Sequence, residues 1–112
     1  MFAEVKAMLP ISGDAYDQEI ILQIKAAVLD LTRTAEIVLP GSVDISVDDV
    51  TGAVVDESDL NDELAITAIA TWCTMRIGNP ANYDNLLRAY ESLKGSMRIS
   101  KHYTAYGEVT TE

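Results

Sequence analysis

The chain has 112 residues, 48% of them hydrophobic. That is enough for one modest core, not two, and too ordinary a composition for a disordered segment. With 18 acidic residues against 8 basic ones the net charge is −10, a poor balance for gripping nucleic-acid phosphate. The single cysteine, Cys73, excludes an intrachain disulfide.

Phe2 to Leu9 predicts a short helix stopped by Pro10. The start, Met1-Phe2-Ala3-Glu4-Val5-Lys6, has no basic stretch followed by an apolar one, so no signal peptide is expected and the setting is cytosol-like. Ser12-Gly13-Asp14 reads as a turn, with Asp14 as an N-cap and Asp17 and Glu19 in a favourable first turn. A long helix is predicted from about Ala15 to Val38. Its apolar stripe is Ile20, Ile24, Ala27, Val28, Leu31 and Ala35, widened by Ile21 and Leu22. Pro40-Gly41 ends it.

Over residues 43–55 the period changes to two. Val43, Ile45 and Val47 alternate with Asp44 and Ser46, Asp48 to Gly52 form a turn, and Ala53-Val54-Val55 return. Two strands alone are marginal, so this hairpin has to lean on helices or on a neighbouring subunit. The next helix, about Leu60 to Ile77, has acids at its start and Arg76 near its end, and little polar surface between them. It is the expected core helix. Gly78 is placed to stop it, Asn79 to cap the next helix and Pro80 to occupy a first-turn position that needs no N–H. That last helix runs to about Arg98, with Tyr83, Leu86, Leu87, Tyr90 and Leu93 at helical spacing; Gly95 predicts fraying or a bend. Residues 101–112 carry Tyr103 and Tyr106 but no periodic apolar face, and read as a mobile tail.

The fold class expected is therefore mainly α. A small bundle, made of a short N-terminal helix and three longer ones, carries a β-hairpin between the first long helix and the core helix. Residues 1–100 form the domain, with the hairpin inserted at about 43–55.

Signatures of reaction chemistry are sparse. An EF-hand loop starting at Asp44 fails at Ser46, Asp49 and Val55, where a ligand, a glycine and a glutamate are required. Cys73 and His102 are too few for a zinc site, and Cys73, beside Trp72 on an apolar helix, reads as a buried reduced thiol. There is no glycine-rich phosphate loop and no Gly-x-Ser-x-Gly elbow. No enzyme, cofactor or metal is expected. Tyr83 and Tyr90 share a helix face and read as core-edge residues, whereas Tyr103 and Tyr106 are candidate partner anchors.

Charge is unevenly placed. Residues 41–63 hold Asp44, Asp48, Asp49, Asp56, Glu57, Asp59, Asp62 and Glu63 without one basic residue. The last helix is mildly basic through Arg88, Lys94 and Arg98. Either feature can be a solvated surface. Together they can instead form head-to-tail contacts between copies, with Arg88 and Lys94 meeting Asp56, Glu57 and Asp59.

The order of elements resembles the head–tail connector (adaptor) proteins of tailed bacteriophages. The residues that carry the likeness are Met8-Leu9-Pro10-Ile11, Asp14-Ala15-Tyr16-Asp17, the hairpin region, Leu64 to Trp72, and Asn79-Pro80-Ala81-Asn82-Tyr83-Asp84 with the helix after it. It covers nearly the whole chain and is strongest from Trp72 through Tyr90. The resemblance implies a structural protein of the virion neck, made in the bacterial host cytoplasm and assembled as a ring, commonly of about twelve subunits. Such a ring sits beneath the portal protein, extends the DNA channel and offers a platform to a stopper or tail-completion protein. DNA passes through without specific binding, and no membrane is involved. Carried over, the portal-binding segment is 98–112, with Arg98, Lys101, Tyr103 and Tyr106. The segment facing the channel or the next component is 43–55, with Asp44, Asp48 and Asp49. Competing readings are an acidic DNA-mimic inhibitor, a small helical regulatory partner protein, or another neck component of the same phage.

Overall fold

The computed structural model describes residues 1–11, 13–77 and 81–99. The chain is mainly α, with an antiparallel hairpin between its second and third helices. Helix α1 spans Phe2–Ala7 and buries Phe2 and Val5. It is shorter than expected, because Met8 and Leu9 already close back on Val5 and Lys6 carbonyls ahead of Pro10.

Helix α2 spans Asp17–Leu29 and buries Ile20, Ile21, Ile24 and Ala27. Asp14 is not its side-chain cap. Tyr16 holds the N-cap position, while the Asp14 carboxylate lies 3.6 Å from Lys6. The expected run to Val38 also fails. From Asp30 to Thr34 the chain widens into a π-helical turn, closed by the Ala35 N–H on the Asp30 carbonyl at 3.0 Å. Glu36 then takes a left-handed φ of 58°, and the Ile37 N–H bonds the Leu31 carbonyl at 2.8 Å. This close ends the helix and returns Ile37, 2% exposed, to the core. Leu22, read as part of the core stripe, is 60% exposed. It lies across the helix from Ile20, Ile24, Ala27 and Leu31, which already fill the buried face.

Strands β1 (Ile45–Val47) and β2 (Val54–Asp56) pair antiparallel, with Ile45 opposite Asp56 and Val47 opposite Val54. Ile45 points inward and anchors the hairpin on the core; β1 also packs on α2. Helix α3, Glu63–Arg76, starts two to three residues later than expected because Asp62 caps it, its carboxylate accepting from the Ala65 N–H at 3.0 Å. It packs against α1, α2 and α4 and buries seven of its residues, so it is the central helix as predicted. Thr71 and Thr74 survive there because their hydroxyls donate to the Thr67 and Ala70 carbonyls one turn back. Each buried isoleucine, such as Ile69, contributes about 2 kcal/mol of burial energy.

Gly78, Asn79 and Pro80, expected to form the joint, lie outside the described residues. Helix α4 is Tyr83–Ile99 and runs through Gly95 without a break. A Cβ at Gly95 would meet nothing within 4 Å. Gly95→Ala should therefore raise stability by about 0.5–1 kcal/mol, read as a higher urea midpoint at unchanged slope. No helix among the described residues is long and apolar enough to cross a membrane.

Candidate interaction surfaces

Three features outside the apolar core give the molecule its surface chemistry. The first joins α4 to the π-helical turn. Because that turn starts at Asp30, the Asp30 carboxylate faces α4, where it accepts from the Tyr90 hydroxyl at 2.6 Å and from Lys94 Nζ at 3.1 Å. Lys94 also reaches Glu91 at 3.2 Å and lies over the Tyr90 ring. Tyr90 stacks at a tilt on Trp72, whose indole N–H donates to Gln23 and whose face carries the Arg76 guanidinium. Burial, reinforced by Asp30, pushes the Tyr90 phenol above its ordinary value, so it remains a donor. Lys94 was expected on an exposed basic ridge with Arg88. Instead it is 9% exposed and committed within its own chain, because Asp30 sits where its long stem delivers the ammonium. Tyr90 is buried at 1% exposure, whereas Tyr83, expected beside it at the core edge, remains 38% exposed in the first turn of α4.

The second feature ties the hairpin to the chain start. Asp56 accepts from the Phe2 N–H at 2.6 Å and lies 3.1 Å from the Met1 ammonium. Asp56 is thus committed to the chain start, and its charge is not the free surface carboxylate expected, although the residue still meets solvent. Burial pushes its carboxyl up, but the Phe2 N–H, the Ser58 hydroxyl and N–H and the Met1 ammonium outweigh this and hold it down at about 2. A depressed value means that the contribution is complete above the ordinary value of 3.8 and is lost as pH falls towards 2. In acid titrations followed by circular dichroism, Asp56→Asn should be less stable than wild type at pH 6. The gap should close between about pH 4 and pH 2.

The third feature is the free surface itself. Glu57, Asp59, Asp44, Asp48 and Asp49 are exposed along the hairpin and the segment after it. Asp44 stands at the base and Asp48 at the tip, about 13 Å apart by strand rise, so they do not form one patch. Asp48 turns into its own loop, accepting from the Val50 and Thr51 N–H groups, and these bonds draw its carboxyl below its ordinary value. Arg88 and Arg98 are exposed on α4 and, like Lys25 and Arg33 on α2 and the π-helical turn, enter no ion pair among the described residues. Lys101, Tyr103 and Tyr106 lie outside the described residues. Leu22 and Leu29 are exposed on α2 at 60% and 50%, and Val50 at the hairpin tip at 92%. Sequence reasoning passed over Leu29 and Val50, although their i, i+7 spacing from Leu22 and their place in a turn, respectively, were visible signals.

Two concavities flank the hairpin. One, about 470 Å³, lies between the hairpin and the start of α2, lined by residues including Phe2, Asp14, Asp17 and Val54. The other, about 310 Å³ and mostly apolar, is lined by Lys25, Val28, Leu29 and Val43. Cys73 is buried, which pushes its thiol up to about 12 and keeps it protonated at neutral pH, matching the expected inert thiol. Among the described residues no cluster of three or more His, Cys, Asp or Glu is placed to hold a metal ion. No family model, curated protein or solved structure matches the chain.

Proposed function

We propose that the chain is a structural virion protein, a head–tail adaptor that forms a ring between the portal and the next neck or tail component. The observation that carries this reading is a hairpin region that bears carboxylates and no cation, beside helices that carry exposed cations. Among the described residues, cations without an ion-pair partner stand on the helices at Lys25, Arg33, Arg88 and Arg98, and carboxylates without one stand on the hairpin and just after it at Asp44, Asp49 and Glu57. Carboxylates on one element and cations on others of identical subunits favour head-to-tail contacts, the kind that closes rings. The element order from Met8 to Tyr90, with a hairpin between two helices and an amphipathic last helix, supports it through the resemblance to phage connectors. In this reading the chain is made in the bacterial host cytoplasm and ends in the virion neck. Its acidic surface repels the phosphates of passing DNA. Arg88 and Arg98, not Lys94, are the α4 cations available to partners.

Co-sedimentation with DNA-filled, tailless heads tests the reading. Full-length protein should bind stoichiometrically and saturably, and a variant cut after Ser100 should lose binding while retaining the helical fold. Folded full-length protein that stays in the supernatant would overturn the adaptor and turn attention to an inhibitor or regulatory role.

A further inference from the structure

The hairpin tip and the α2 cleft are complementary, yet they cannot meet within one molecule. Val50 is the most exposed large apolar residue described, in a turn where Gly, Asn, Asp or Ser would be the ordinary choice. Its loop is held rigid by its own bonds. The Val50 and Thr51 N–H groups donate to the Asp48 carboxylate at 2.7 and 3.0 Å, the Gly52 N–H to the Asp48 carbonyl at 2.8 Å, and the Asp48 N–H to the Ala53 carbonyl at 2.8 Å. The valine is thus presented ready-made, with little ordering left to do on binding. Asp48 and Asp49 flank it.

The cleft has the converse character. Val28, Leu29 and Val43 make an apolar floor, and Lys25 stands at its rim without an ion-pair partner among the described residues. Arg33 adds a second exposed cation on the same helical run. Val43 lies at the foot of the hairpin whose far end carries Val50. The rise of the strand keeps them about 16 Å or more apart, so the tip cannot fold back into its own cleft.

We propose that the hairpin tip of one molecule seats Val50 in the Leu29–Val43 cleft of a second copy, with Asp48 and Asp49 facing Lys25. The two surfaces are different and lie at opposite ends of the hairpin, so the contact is heterologous and repeats from copy to copy, closing into a ring or extending as a filament. It specifies one joint of the ring proposed above and rests on that reading only for its biological setting.

Sedimentation velocity on two blocked variants tests it. Val50→Ser removes the knob and leaves the cleft; Leu29→Asp blocks the cleft and leaves the knob. Both positions are exposed, and denaturation midpoints verify the fold; Lys25→Glu serves as the cleft variant if Leu29→Asp unfolds. Wild-type protein should show a mass that rises with concentration up to about 1 mM. Each variant alone should associate at least about tenfold more weakly, and an equal mixture of the two should form a 1:1 dimer and nothing larger. A wild-type chain that stays monomeric through this range, variants that associate like wild type, or a mixture that fails to pair would each overturn the contact. Head binding of the same proteins separates the two ideas. Self-association without head binding leaves the contact standing and removes the adaptor. Head binding without this self-association does the reverse.

Discussion

Replacing Asp30 by alanine should lower the unfolding free energy by about 2–3 kcal/mol. The substitution removes the acceptor of the Tyr90 hydroxyl and of Lys94 at once. Lys94 is then left with Glu91, whose side chain is 58% exposed, while its own is only 11% exposed. An ammonium so enclosed loses most of its hydration and gains no new partner. The residual water at Asp30, 18% exposed, keeps the loss below that of a wholly buried pair. Tyr90→Phe removes one hydrogen bond and keeps the ring against Trp72, so it should cost about 1–1.5 kcal/mol. The pair Asp30→Ala with Lys94→Met should cost less than the sum of the single changes, because no charge is then stranded. Urea denaturation of the four proteins measures all of this. An Asp30→Ala variant within about 0.5 kcal/mol of wild type would mean that α4 is held by its apolar contacts alone.

Gly41→Ala should cost about 2–3 kcal/mol, for a reason unrelated to helix ending. A Cβ at Gly41 would lie 2.7 Å from Leu60 Cα, 2.8 Å from Leu60 N and 3.0 Å from Asp59 C. These are backbone atoms, and no rotamer change moves them. They are pinned by the Ser42 carbonyl, which accepts from both the Asp59 and Leu60 N–H groups, and by Leu60, which is 3% exposed. Gly52 offers a calibration. Its φ of 75° strains an alanine, but a Cβ there touches nothing, so Gly52→Ala should cost only about 1 kcal/mol. With Gly95→Ala stabilising, the three glycines should order as Gly95→Ala, wild type, Gly52→Ala, Gly41→Ala in thermal midpoint. A Gly41→Ala midpoint above that of Gly52→Ala would show that residues 59–60 yield easily.

The hairpin and the central helix were legible because each is written in local pattern. The hairpin with its glycine turn at Gly52 and the nearly unbroken apolar face from Leu64 to Met75 appear in the structure, although the first strand starts only at Ile45, not Val43, and the return strand is Val54–Asp56, one residue later than expected. The end of α2 was not legible. Pro40-Gly41 is a strong stop signal, but the helix had already closed at Glu36, a residue with no conformational reason of its own to adopt a left-handed φ. What stops the helix there is the return of Ile37 to the core, a tertiary demand. Gly41 carried its signal for another reason, the close passage of residues 59–60.

The surface residues divide in the same way. Arg88, Arg98, Asp44, Asp49 and Glu57 stand exposed, as their charge and helical or strand position suggested. Lys94 and Asp56 carry the same chemistry but are spent inside the chain, on partners 64 and 54 residues away. By itself the sequence determined the class of the fold, the core helix, the hairpin and the sign of charge along the chain, because periodicity and capping act over a few residues. The tertiary structure decided which charges are free, which apolar residues face water and which glycine is indispensable. Those outcomes depend on the packing of segments far apart in the chain, and no local pattern records what a side chain will meet there.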